Sequence, residues 1–167
     1  ILFVSFSYPV FAQLTHIDHV TVVKEFIEKI KNNDRQSIAA QVIYPFRRDY
    51  PVKRIKNEAE FVARFDEVFD QNLKNIILKS SPRRDWSQVG WRGIMLNQGD
   101  LWIDEAGDLI SVNYETSKTK SLKKTLIERD KGWLFEPLRN YEFPVYQIKT
   151  KTHIIRIDEM KGGVYRY

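Results

Sequence analysis

The feature that most constrains the fold is a change in the spacing of apolar residues near position 80. Before this point, apolar side chains recur every three or four positions, which is typical of helices that bury one face. After the segment SSPRRD the spacing becomes two, and the turn signals NQGD and EAGD separate short strand-like runs. Gly99 and Gly107 supply the positive φ that such turns need. The sequence therefore predicts an α+β fold in which helices are followed by an antiparallel meander.

The helical part predicts three segments with identifiable starts. The run THIDHVTVVKEFIEKIKNND predicts a first helix capped by Thr15 or Asp18, and Asp34 is expected to cap a short second helix. Asn57, with Glu60 three residues later, predicts the start of a third helix, expected to continue without interruption to Leu78. The intervening FRRDYPVKRI predicts an extended or hairpin segment.

The C-terminal part returns to a helical pattern and then alternates again. SKTKSLKKTLIERDKGW predicts a helix, and residues 145–167 predict strands with KGG as a tight turn. Because the chain ends in mid-strand and an isolated hairpin is marginal in water, we expect residues 145–167 to be the beginning of a truncated β-rich unit. The α+β domain is then expected to cover residues 13–140.

The opening residues ILFVSFSYPVFA predict an address that is removed. They form an uncharged apolar run too short to span a membrane, and Val10 and Ala12 fit the small-residue positions before a cleavage at Gln13. The alternative is a buried β-strand, which Pro9 disfavours because it lacks a backbone N–H. We therefore expect residues 1–12 to be the tail of a signal peptide, and the protein to be exported to the periplasm or the extracellular space.

Composition limits the function further. The chain has no cysteine, which excludes thiolate metal sites and cysteine nucleophiles, and its formal net charge is +5. Lys118, Lys120, Lys123 and Lys124 form a basic stretch that suits an anionic envelope surface, although a solvated helix face accounts for it better. We expect a small-molecule ligand or a protein partner, with envelope contact as an alternative, and no nucleic acid, cofactor or transmembrane span.

Three segments carry a resemblance to a known superfamily. IAAQVIYPF, IKNEAEFVARFDEVF and GWRGIMLNQGDLWID, within residues 18–114, together with the order of elements, resemble uncharacterised exported bacterial proteins with nuclear transport factor 2-like domains. The resemblance implies helices packed on a curved antiparallel sheet, forming a cone with an internal pocket. That superfamily contains enzymes, binding modules and assembly domains, so the resemblance transfers no activity. No catalytic motif matches, and no catalytic residue is carried over.

Two groups of residues are candidates for metal binding and for acid–base chemistry. His16 and His19, beside Asp18, have a spacing that can place two imidazoles on one helix face, but no third ligand is apparent and a frayed helix start accounts for them better. Asp49 and Asp104 lie next to aromatic residues, where the pKa of a carboxylate can rise toward the range useful for proton transfer. Both also fit ordinary turn positions.

The aromatic residues of the meander suggest a ligand pocket. Tyr50, Trp91, Arg92 and Trp102 are candidates for ligand binding, although most aromatic residues of the meander are expected in the core. The sequence therefore predicts a non-catalytic domain that binds a small ligand or a protein. The alternatives are an enzyme that uses a pocket carboxylate on a small organic substrate, and an envelope-associated scaffold.

Overall fold

A computed structural model describes residues 18–167, which form an α+β fold with six helices and two antiparallel sheets. The predicted signal segment at residues 1–12, the cleavage before Gln13 and the predicted cap at Thr15 lie outside the described residues, as does His16. Within residues 18–167, no helix is both long enough and apolar enough to cross a membrane.

The first three helices begin at side-chain caps that the sequence predicted. Asp18 accepts a hydrogen bond from the Val20 amide at 3.2 Å, and Asp34 and Asn57 cap the next two starts in the same way. These caps satisfy amides that have no partner within the helix. The helices are α1 (His19–Lys31), α2 (Arg35–Ala40), α3 (Glu58–Ala63), α4 (Phe65–Val68), α5 (Gln71–Lys79) and α6 (Ser117–Trp133).

The predicted single helix from residue 58 to residue 78 is wrong, because the chain forms α3, α4 and α5 instead. The helical conformation is interrupted at Arg64 and again at Phe69. Asp70 then starts α5, since its side chain accepts a hydrogen bond from the Leu73 amide at 2.9 Å. The apolar spacing alone did not indicate these interruptions, because each short helix keeps its apolar face toward the same core.

The predicted meander is confirmed as a four-stranded antiparallel sheet in the order β1-β2-β3-β4. The run QVGWRGIML before the NQGD turn, predicted as the first of three strands, is interrupted by a 3-10 helix at Gly90–Arg92, where Gly90 and Gly93 have φ of +49° and +99°. The strands are β1 (Trp86–Gln88), β2 (Ile94–Leu96), β3 (Leu101–Ile103) and β4 (Leu109–Val112).

The main core lies between the helices and one face of this sheet. Alternation along β2 and β3 buries Ile94, Leu96, Leu101 and Ile103, each at most 1% exposed. Aromatic rings from the helices, from the loop before α3 and from β1 pack in this core and contribute edge-on contacts. The principal rings are those of Phe26, Phe46, Phe61, Phe65, Phe69 and Trp86.

A second, separate sheet follows α6. Its strands β5 (Phe143–Lys149), β6 (Ile154–Met160) and β7 (Val164–Arg166) are antiparallel in the order β5-β6-β7. The predicted KGG turn joins β6 to β7, with Gly162 and Gly163 both at positive φ. An ion pair between Arg156 on β6 and Asp130 on α6, at 2.9 Å, connects this sheet to the preceding part of the molecule.

Candidate ligand-binding site

The described residues form a cleft of about 960 Å³. Four parts of the chain form its walls: residues 47–54, residues 110–115, the first turns of α6, and the beginning of β5 at residues 144–146. We refer to this surface as the cleft. The loop before α3, the end of the first sheet, α6 and the start of the second sheet therefore meet at the cleft.

A hairpin loop at residues 46–55 carries most of the charge of the cleft. Phe46 and Ile55 exchange backbone hydrogen bonds of 2.8 and 3.0 Å at its base, and Val52 donates to the Asp49 carbonyl at 2.9 Å near its tip. Both base residues are fully buried, which fixes the loop to the core. The predicted extended or hairpin character of this segment is therefore confirmed.

The Glu67 carbonyl at the end of α4 holds the hairpin loop against α6. It accepts hydrogen bonds from the hydroxyls of Thr116 and Thr119, at 2.8 and 2.7 Å, and from the Arg48 guanidinium at 3.2 Å. Both threonines are buried. Because these donors come from separate parts of the chain, one carbonyl fixes the relative position of two cleft walls.

Arg48 is a charged group with mostly neutral hydrogen-bond partners. Burial lowers the pKa of its guanidinium, and the Glu67 carboxylate offsets this effect only in part. Glu67 also pairs with Arg64 at 2.8 Å, so its charge is shared. An arginine nevertheless keeps its proton near neutral pH, and Arg48 therefore adds positive charge to the inner wall of the cleft.

The two carboxylates that line the cleft share a single lysine. Lys123 lies 3.0 Å from Asp49 and 2.8 Å from Glu115. Burial lowers the pKa of Lys123, but its hydrogen bonds to Glu115 and Asp49 outweigh this effect and hold the pKa above its ordinary value. The cleft lining contains five cationic side chains and these two carboxylates, so positive charge predominates.

The two predicted acid–base candidates lie in different settings. Asp49 lines the cleft, but its side chain is 85% exposed and is paired with Lys123. Asp104 does not line the cleft; its carboxylate accepts hydrogen bonds from the amides of Ala106 and Asp108, at 2.9 and 2.8 Å, and so stabilises a turn. The structure does not bring the two carboxylates together in this cleft.

Of the predicted ligand-binding residues, only Tyr50 lines the cleft. Trp91 is 93% exposed on the 3-10 helix, where the Arg92 guanidinium lies 5.8 Å from its ring centroid. Trp102 is half-buried on the outer face of β3 and is paired in register with Ser111, which does line the cleft. Alternation along a strand could not show which outer-face residues reach the concave surface.

The predicted metal ligands do not form a site within the described residues. His19 lies 3.4 Å from Asp18 at the start of α1, and His16 lies outside the range. Among residues 18–167, no group of three histidine or carboxylate side chains is placed to hold a metal ion.

The cationic residues of the hairpin loop were missed as candidates. Arg47 and Arg54 lie the same number of residues before Tyr50 and after Pro51, so a regular hairpin around this turn would have paired them.

Comparison with protein families, curated proteins and solved structures finds no match for this chain. The site is therefore interpreted from its own geometry.

Proposed function

We propose that this protein is a non-catalytic binding domain whose cleft binds a small organic ligand. The observation that carries the proposal is a concave surface of about 960 Å³ with four walls, held in place by hydrogen bonds from two buried threonines to the Glu67 carbonyl. Pockets for small molecules commonly enclose about 300–1,000 Å³ and combine apolar walls with a few directed polar groups. Here Val112, Val145 and Tyr146 supply apolar surface beside the cationic groups.

The acid–base alternative has less support. The side chain of Asp49 is 85% exposed and is already paired with Lys123. Asp104 satisfies the amides of a turn outside the cleft. A general acid or base must lie within hydrogen-bond reach of a bound substrate, and the carboxylate of Asp104 does not line the cleft, whereas that of Asp49 is held by a lysine.

The resemblance to nuclear transport factor 2-like domains, with a curved, cone-like sheet, stays a prediction. Export to the periplasm or the extracellular space likewise stays a prediction, since it depends on residues 1–12. The proposed binding role is compatible with both, because it requires only a concave surface on an α+β framework.

A substitution that fills the cleft tests the proposal. Val145 lines the cleft and is 41% exposed, whereas Ile148 on the same strand is 44% exposed and does not line it. We expect Val145→Trp to abolish the binding of small molecules identified in a fragment screen, and Ile148→Trp, the matched control, to leave their binding unchanged. Isothermal titration calorimetry measures both. Equal binding by the two variants would show that ligands bind elsewhere.

A further inference from the structure

Two exposed arginines of the hairpin loop are placed near its base. Arg47 and Arg54 flank the hydrogen-bonded pair of Phe46 and Ile55, which is an isolated bridge. Each arginine is therefore the chain neighbour of one bridge residue, on the loop side. Both side chains are exposed, and both line the cleft.

The charge of these arginines is not compensated within the part of the chain that the structure describes. Among residues 18–167, neither Arg47 nor Arg54 forms an ion pair, and the same is true of Lys53 between them. The nearby Asp49 is already paired with Lys123. Like charges that line one concave surface repel each other, so the arrangement has a cost in the free protein.

The geometry points to an organic acid as the ligand of the cleft: we propose that its carboxylate or phosphate group binds between the guanidinium groups of Arg47 and Arg54. This inference rests on the proposed function. Planar guanidinium groups bind carboxylates and phosphates through paired charge-assisted hydrogen bonds, which are stronger than neutral ones. An anion at this position would also remove the repulsion between the two arginines.

The remaining lining limits the ligand to a small molecule with an apolar portion. Ile110, Val112 and Val145 line the cleft beside the arginines, and its volume of about 960 Å³ accommodates a small organic molecule. The cationic groups lie inside this concavity and not along an extended open stripe. A small acid with an apolar body therefore fits the surface better than a long anionic polymer, which binds along extended grooves.

Matched charged and neutral probes test the inference. We expect phenylacetate and phenyl phosphate to bind at least tenfold more tightly than the neutral phenylacetamide, as measured by isothermal titration calorimetry. In the double variant Arg47→Gln/Arg54→Gln, the affinity for the two anions should fall to that of the amide, and the affinity for the amide should stay unchanged. The control Arg83→Gln removes one charge from an exposed arginine that does not line the cleft, and it should have no effect.

Two further measurements separate the possible failures. The double variant should unfold at the same denaturant concentration as the native protein or at a higher one, because it loses a repulsion; a loss of binding then does not reflect misfolding. Equal binding of phenylacetate and phenylacetamide, abolished by Val145→Trp, would overturn the anion inference and leave the proposed function intact. Binding that Val145→Trp does not reduce, or no binding of any probe at millimolar concentration, would overturn both.

Discussion

At the scale of single residues, the polar side chains around Arg156 form one connected group. Its guanidinium lies 2.9 Å from Asp130 and 2.7 Å from Asp158, and the Tyr141 hydroxyl donates a hydrogen bond to Asp130 at 2.7 Å. The side chain of Asp158 is only 3% exposed. A buried carboxylate without a partner destabilises the folded state, so the ion pair with Arg156 offsets the cost of burying Asp158.

We expect Arg156→Leu to lower the free energy of unfolding by about 3–5 kcal/mol, because it leaves a buried charge without its principal partner. Denaturant titration followed by circular dichroism measures this change. The double variant Arg156→Leu/Asp158→Leu is the control, and it should recover much of the loss, since it removes both charges. A loss below about 1 kcal/mol in the single variant would show that Arg166, 3.4 Å from Asp158, is a sufficient partner.

Residue-scale roles were predictable where the physical cause is local. Asp34 and Asn57 were predicted as caps, because a cap depends only on the amides two or three positions further along the chain. Asp158 was not predicted as a buried charge, although its partners, Arg156 two positions earlier and Arg166 on β7, belong to its own sheet. The spacing of charges along the chain does not show which of them tertiary packing buries.

At the scale of elements, Asp70 connects the start of α5, which the sequence did not separate from the preceding helices, to the start of α6. One oxygen of its carboxylate accepts from the Leu73 amide and caps α5, and the other accepts from the Ser117 amide at 3.1 Å, at the start of α6. The interruption before α5 therefore positions the helix that forms one wall of the cleft.

We expect Asp70→Ala to lower the free energy of unfolding by about 1–2 kcal/mol, as the loss of a helix cap does elsewhere. Asp66→Ala is the matched control: Asp66 forms an exposed ion pair with Arg35 at 3.0 Å, and such pairs contribute about 0–1 kcal/mol. Chemical denaturation of both variants gives the comparison. Equal effects of the two substitutions would contradict the role assigned to Asp70.

Element types were predicted well, and element boundaries less well. The change to a spacing of two predicted the meander, because one buried sheet face imposes that alternation on every strand. The break at Gly90–Arg92 was not predicted. It is followed by Gly93, where a Cβ would lie 2.4 Å from the Ile103 carbonyl oxygen, so the two strands approach too closely there for any side chain. That close approach between strands is a tertiary contact, which the alternation of apolar residues does not report.

At the scale of the whole molecule, apolar surface is unevenly distributed. Twelve of the sixteen large apolar side chains that are exposed within residues 18–167 occur from Trp133 onward, including Ile155 and Tyr165, which are 55% and 58% exposed. The first sheet, in contrast, is covered by the helices on one face. The second sheet therefore offers an alternative surface to which a hydrophobic molecule could bind, and any binding experiment must distinguish it from the cleft.

The cleft itself was not predictable, because it exists only where four distant parts of the chain meet. The sequence predicted the hairpin loop, β4, α6 and β5 as separate segments, but their convergence depends on the contacts at Glu67 and Arg156. Tyr50 was predicted for ligand binding and does line the cleft, whereas Trp91 projects into solvent on a 3-10 turn.

The most direct test of the binding role is to map where a small acid contacts the protein. In a two-dimensional nuclear magnetic resonance titration with phenylacetate, we predict that amide shifts concentrate at residues 47–54, 110–115 and 144–146. The Val145→Trp variant should lose these shifts, and Ile148→Trp should retain them. Shifts confined to the exposed face of β5, β6 and β7, or unchanged in Val145→Trp, would contradict the assignment of the cleft as the binding site.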